Sequence, residues 1–178
     1  MSLILFVGSL IMLVIIFFKN PILSQLGKGN PFVHLLKKTP WFQSHWRAGI
    51  LLFFMNTALF STTILALYIV GYFVIPYVHL IFMVLAVCTS IYLWVSVNKA
   101  WQGSKGDRLK LATIGSSFYM GLTVLFTFLY ITLEPSYQGE DIFMQAMGLF
   151  LAIIVTTTAW ITCFFITGFY QQNMEKIR

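Results

Sequence analysis

Charged residues are scarce in this sequence. Asp, Glu, Lys and Arg make up 9% of its 178 residues, where soluble globular domains carry about a quarter. With 59% hydrophobic and 17% aromatic residues and a mean hydropathy of +0.86, the chain has too little polar surface to be solvated by water. Cysteine is nearly absent as well. Cys88 and Cys163 both fall inside hydrophobic runs and lack Cys-x-x-Cys spacing. That excludes a disulfide framework or a cysteine metal cluster, and leaves two small hydrophobes expected to be buried.

Catalytic signatures are missing too. There is no Gly-rich phosphate loop, no His-Glu-x-x-His, no nucleophile elbow and no pair of carboxylates placed to share acid and base work. No Asp, Glu, Lys or Arg lies in the central part of any hydrophobic run, so a proton relay or charged ion pathway has no carrier. Haem would need facing histidines inside the runs, and His79, at the outer edge of one, stands alone there. These absences argue against an enzyme, a cofactor and a metal site.

What the sequence does have is five hydrophobic runs, at about residues 2–18, 48–75, 77–97, 111–133 and 142–170. A transmembrane helix needs about 20 apolar residues, and each of the last four runs is longer than a buried soluble helix requires. The first is shorter. It lacks the basic start and small-residue cleavage site of a secretory signal, and is read as a retained span. Pro76 divides the second run from the third, which makes them a tight hairpin. The expected fold is a single all-α domain, a polytopic transmembrane bundle of five spans.

The loops orient it. Lys and Arg resist translocation, and with five alternating spans all 11 of them fall on one side. Lys19, Lys28, Lys37, Lys38 and Arg47 precede the second run, Lys99, Lys105, Arg108 and Lys110 follow the third, and Lys176 and Arg178 close the chain. The other side receives the uncharged turn before Tyr77 and an acidic turn with Glu134, Glu140 and Asp141. The expectation is an outside N-terminus and a cytoplasmic C-terminus in the cell membrane, and the compact size and short loops suggest a bacterial source. Such cations face anionic lipid headgroups, not nucleic acid.

The loop ahead of the second run carries its own pattern. Asn30 and Pro31 suit an N-cap and first helical position, and Phe32, Val33, Leu35 and Leu36 interleave with His34, Lys37 and Lys38 before Pro40 ends the segment. A short interfacial helix would bury the apolar groups and leave the lysines near lipid phosphate. Lys37, Lys38, Trp41, Trp46 and Arg47 are the expected lipid-interface residues. Trp101 is expected at the same level, and Tyr68, Tyr72, Tyr77, Tyr130 and Tyr137 at the opposite one.

Inside the runs, polarity takes the form of hydroxyl stripes. Thr113, Ser116, Tyr119, Thr123, Thr127 and Tyr130 recur every three or four residues, along one helix face. Ile114, Phe118, Leu122, Leu125 and Leu129 are then left for lipid. Gln145, Gly148, Ala152, Thr156, Ala159, Cys163 and Thr167 make a narrow small-residue face in the last run, as Gly49, Asn56 and Thr63 do in the second. Small residues let helices approach, and polar ones bond across the contact. Asn56, Thr63, Ser116, Tyr119, Thr123, Thr127 and Thr156 therefore mark a packing seam or, alternatively, a hydroxyl-lined pore. Buried Asn56 needs a partner in the bundle or across an oligomer interface.

Two functions fit these features. In the first, a non-catalytic membrane component acts through helix packing with a membrane-protein partner, as an accessory subunit, assembly, immunity-type or regulatory factor. In the second, a homo-oligomer forms a small uncoupled channel or facilitator.

Overall fold

The computed structural model describes residues 31–73, 78–135 and 142–169, and the first hydrophobic run lies outside them. Every regular element among the described residues is helical. Helix α1 spans Pro31–Lys38 and a 3-10 turn follows at Pro40–Gln43. Four long helices come next: α2, His45–Tyr72; α3, Val78–Ala100; α4, Lys105–Ile131; and α5, Phe143–Gly168. They have 28, 23, 27 and 26 residues. At a rise of about 1.5 Å per residue, each is long enough for a hydrocarbon core of about 30 Å, and each is apolar enough to cross one.

Local chemistry sets where these helices begin and end. Pro31, with its fixed φ, opens α1. At the other end, Thr39 donates its hydroxyl proton to the Leu35 carbonyl at 2.9 Å ahead of Pro40. Helix α4 starts at Lys105, well before the apolar run at 111, because Ser104 caps it. Its Oγ accepts the Asp107 N–H at 3.2 Å and donates to the Asp107 carboxylate at 2.7 Å. Helix α3 continues past 97 to Ala100, where the Gln43 side chain receives it. Gln43 Nε2 donates to the Ala100 carbonyl at 3.4 Å, and its Oε1 accepts the Gln102 N–H at 3.2 Å.

The most extensive helix contact is α4 with α5, followed by α2 with α4 and α2 with α3. The starts of α2 and α4 and the ends of α3 and α5 gather at one end of the bundle, together with α1. This is the basic end, carrying Lys37, Lys38, Arg47, Lys99, Lys105, Arg108 and Lys110. Buried side chains concentrate in its half of the bundle, from Ala48 to Asn56 on α2, Ser90 to Ala100 on α3, Arg108 to Tyr119 on α4 and Thr156 to Thr167 on α5. Towards the opposite end Tyr68, Tyr72, Phe128, Ile131, Phe143 and Met144 point outward.

Several expectations are corrected. Cys163 is buried but Cys88 is exposed, because it lies on the outward stripe of α3 with Ile81 and Val84. Trp101 is not the exposed ring that a headgroup anchor would be. It is 2% exposed and packs edge-on to Phe42 at 6.3 Å, since the chain folds back over the end of α3, and its Nε1 meets no acceptor among the described residues. On α4, Ile114, Phe118 and Leu122, expected to face lipid, are half-buried against protein. Phe118 meets Phe53 and Phe60 of α2, Ile114 lies against Gly49, and Leu122 packs on the core. Leu125 and Leu129 do point outward. Helix α1 spends part of its apolar face on protein: Val33 is in the core and Leu36 packs against it, while Leu35 is exposed.

Candidate functional site

Two glycines let α2 and α4 approach closely. A Cβ on Gly115 would lie 2.3 Å from Leu52 Cδ2, and one on Gly49 would lie 2.8 Å from Ile114 Cβ. Neither position has room for a side chain, so each helix receives the other's branched residue in a glycine notch.

Asn56 lies one turn beyond Leu52 and is 2% exposed. Its Nδ2 donates to the Gly115 carbonyl of α4 at 3.0 Å and lies 3.9 Å from Cys163 Sγ of α5. Its Oδ1 accepts the Trp94 Nε1 proton from α3 at 2.9 Å. One amide on α2 thus reaches the other three long helices, with all three partners inside the chain. The Trp94 ring stands edge-on to Tyr119 at 6.0 Å, which closes the site with apolar walls.

The hydroxyl stripe of α4 turns towards α5. The Thr123 and Thr156 hydroxyls meet at 3.1 Å. Thr156 donates its proton to the Ala152 carbonyl one turn back at 2.8 Å and accepts from Thr123, whose single proton is shared between Thr156 and the Tyr119 carbonyl at 2.9 Å. Thr127 bonds to the Thr123 carbonyl at 2.7 Å and Ser116 to Thr113 at 3.4 Å. Ser116 and Thr156 are buried, Thr123 and Thr127 half-buried, and Thr113 and Tyr130 exposed. Thr63 does not join this seam. Its hydroxyl bonds to Leu59 in its own helix at 2.7 Å, and it lines an open apolar groove between α2 and α3 with Met55, Leu59, Phe82 and Leu93.

A second polar cluster lies at the basic end, built from residues that sequence reasoning passed over. Asn98, one turn after Trp94, donates through Nδ2 to the Ile166 carbonyl and, at 3.0 Å, to that of Thr167. These carbonyls belong to the last turn of α5, which has no further intrahelical donors. Arg108, taken from sequence as a loop cation, is in fact 6% exposed. It donates to Asn98 Oδ1 at 3.3 Å and to the Trp101 carbonyl at 3.4 Å. Its position has a physical cause: α3 and α5 both end here, and their negative dipole ends favour a cation. Arg108 follows a polar stretch, so only the length of the capped helix could have revealed that it is buried.

Lys37, Lys38, Trp41, Trp46 and Arg47 are all exposed around this end. Asp107 lies between His45 Nδ1 at 3.7 Å and Lys110 Nζ at 3.6 Å. Among the described residues no three His, Cys, Asp or Glu side chains group as metal ligands.

Asn56→Leu should destabilise the bundle by about 2 kcal/mol. Two side-chain bonds contribute about 0.6 kcal/mol each in membrane proteins, and an orphaned buried Trp94 donor adds about 1 kcal/mol. The check is the unfolding midpoint in SDS-containing mixed micelles, with indole fluorescence reporting the altered surroundings of Trp94.

Four long apolar helices tied by a buried amide and threonine contacts define a helical bundle of the membrane-protein kind. Comparison with protein-family models, curated proteins and solved structures returns no match.

Proposed function

We propose that the chain is a five-span, multi-pass protein of the cell membrane that acts non-catalytically, by packing its helices against a membrane-protein partner. In this reading the N-terminus is outside, the basic end is cytoplasmic, and α1 lies at the interface beside anionic headgroups. One observation carries the proposal. Gly49, Gly115, Ser116 and Thr156 are used by contacts between the chain's own helices, whereas Thr62, Thr89, Gly121 and Gly148 towards the other end are exposed among the described residues. Such residues let a further helix approach closely.

The stripe offers little to a permeating solute within one chain. Thr123 and Thr127 already reach carbonyls of their own helix, and Ser116 is fully buried, which favours the seam over the pore. A route between copies of a homo-oligomer is the competing arrangement. Thr123→Val with Thr127→Val separates the two. Solute flux in liposomes collapses if the stripe lines a path. Under the packing reading flux is unaffected, and the Thr123 to Thr156 bond is lost at about 0.6 kcal/mol of stability.

The broader test is mild-detergent purification of the full chain from its native host. A stoichiometric membrane-protein partner is the expected result. A homo-oligomer that conducts a solute would overturn the proposal.

A further inference from the structure

Positive and negative charges are segregated along the chain. No Asp or Glu precedes Asp107, whereas Lys37 and Lys99 both fall in that stretch. Val33 and Leu36 hold α1 in the core beside α3. This packing brings Lys37, in the last turn of α1, towards Lys99, in the last turn of α3. Gln43, five residues past Lys38, donates to the carbonyl of Ala100, the neighbour of Lys99, at 3.4 Å, so the chain leaving α1 runs directly to the end of α3. Lys99 is also partly sheltered, so water screens the repulsion less than it would at an open surface.

Among the described residues the negative charge on hand is small, and Glu175 lies outside them. The C-terminal ends of the two helices supply about half an elementary charge each. Asp107, the acid described at this end, is already bonded to Ser104 at 2.7 Å and flanked by His45 and Lys110. Glu134 stands at the opposite end of α4. Trp41 and Trp46 are exposed on the segment leading into α2, as rings at headgroup depth are.

Resting on the membrane reading above, we propose that the phosphate of an anionic phospholipid headgroup bridges Lys37 and Lys99 and acts as the counter-ion that fixes α1 against α3. A phosphodiester carries one full negative charge on oxygens that can accept from both ammonium groups. A zwitterionic headgroup carries its own cation and neutralises the pair less well.

The test uses the full chain in nanodiscs of phosphatidylcholine with graded phosphatidylglycerol, and reads lipid retention by native mass spectrometry. Phosphatidylglycerol should be retained over phosphatidylcholine. Lys37→Met with Lys99→Met, which keeps the apolar stems, should weaken that preference about 30-fold, from about five-fold per lysine near a membrane surface. Lys110→Met, beside Asp107, should change it less than about two-fold. If the double variant does not fold, Lys37→Met alone should give the five-fold loss.

Equal retention of both lipids, an equal loss in Lys110→Met, or displacement by inorganic phosphate would each overturn the proposal. So would a rise in phosphatidylglycerol affinity in Glu175→Gln, since Glu175 would then be the counter-ion. Nanodiscs expose both faces of the bilayer, so these results do not depend on orientation. Labelling a cysteine placed at Lys105 from outside intact cells would overturn the orientation alone.

Discussion

Gly115→Ala should destabilise the protein by about 1–2 kcal/mol, although the same change would stabilise an isolated helix. Replacing an interior helical glycine by alanine gains about 1 kcal/mol of propensity. Against this, the new Cβ would lie 2.3 Å from Leu52 Cδ2, 2.7 Å from Cγ and 3.0 Å from Cβ. Rotating the leucine can move its terminal methyl groups but not its Cβ, and Leu52 is fully buried. The helices must therefore separate, and overpacking of this kind costs about 1–3 kcal/mol. Separation also stretches the Asn56 to Gly115 bond made by the same glycine, so the penalty should exceed the propensity gain. Gly121→Ala is the control, because a Cβ there meets nothing within 4 Å. It should raise stability slightly.

A double-mutant cycle makes this prediction specific. Leu52→Ala alone should cost about 2–5 kcal/mol as a buried large-to-small change. Combined with Gly115→Ala, it should cost less than the sum, because the cavity left by one substitution accepts the methyl of the other. Unfolding midpoints in mixed micelles give all four corners. Strict additivity would mean that Leu52 and Gly115 do not share the contact, and that the α2 to α4 seam is set elsewhere.

Much of this architecture was legible because lipid demands long apolar helices. The runs at 48–75, 77–97, 111–133 and 142–170 correspond to α2 to α5, with shifted boundaries. Capping explains the largest shift: Ser104 and Asp107 extend α4 through Lys105 and Arg108, residues that read as loop. Asn56 stood out as a polar side chain in an apolar run, and its need for partners followed from desolvation. Which atoms would meet it, Trp94 Nε1 and the Gly115 carbonyl, depends on the helix rotations that tertiary packing selects.

The errors share a cause. Composition favoured a two-faced α4, with hydroxyls inward and Phe118 towards lipid. Helix α4 in fact contacts α2 on one side and α5 on another, so its buried surface is wider than the stripe. A helix inside a membrane bundle gains little hydrophobic energy from hiding leucine or phenylalanine, since lipid is equally apolar. Hydrophobicity therefore distinguishes its faces poorly. The glycine notches and the polar bonds set the packing, and they involve few residues.

The same reasoning makes Asn98→Leu the most damaging single polar substitution at the basic end. Asn98 is 1% exposed and bonded on both sides, to the Ile166 and Thr167 carbonyls through Nδ2 and to Arg108 through Oδ1. Leucine has similar volume but no polar atom. It would strip two carbonyls from the end of α5 and remove one acceptor from a buried guanidinium. Each unsatisfied buried group costs about 1–3 kcal/mol, and more when it is charged, so a total loss of about 3–4 kcal/mol is expected. Adding Arg108→Met should recover part of that loss, because an apolar side chain has no charge left to solvate, whereas Arg108→Met alone should cost less than Asn98→Leu. The measurements are the unfolding midpoint of each variant and hydrogen exchange at the last turn of α5, which should speed up in Asn98→Leu. Unchanged exchange there, or a double variant less stable than Asn98→Leu, would mean that Arg108 is held by groups other than Asn98 and that the α5 terminus is secured without the amide.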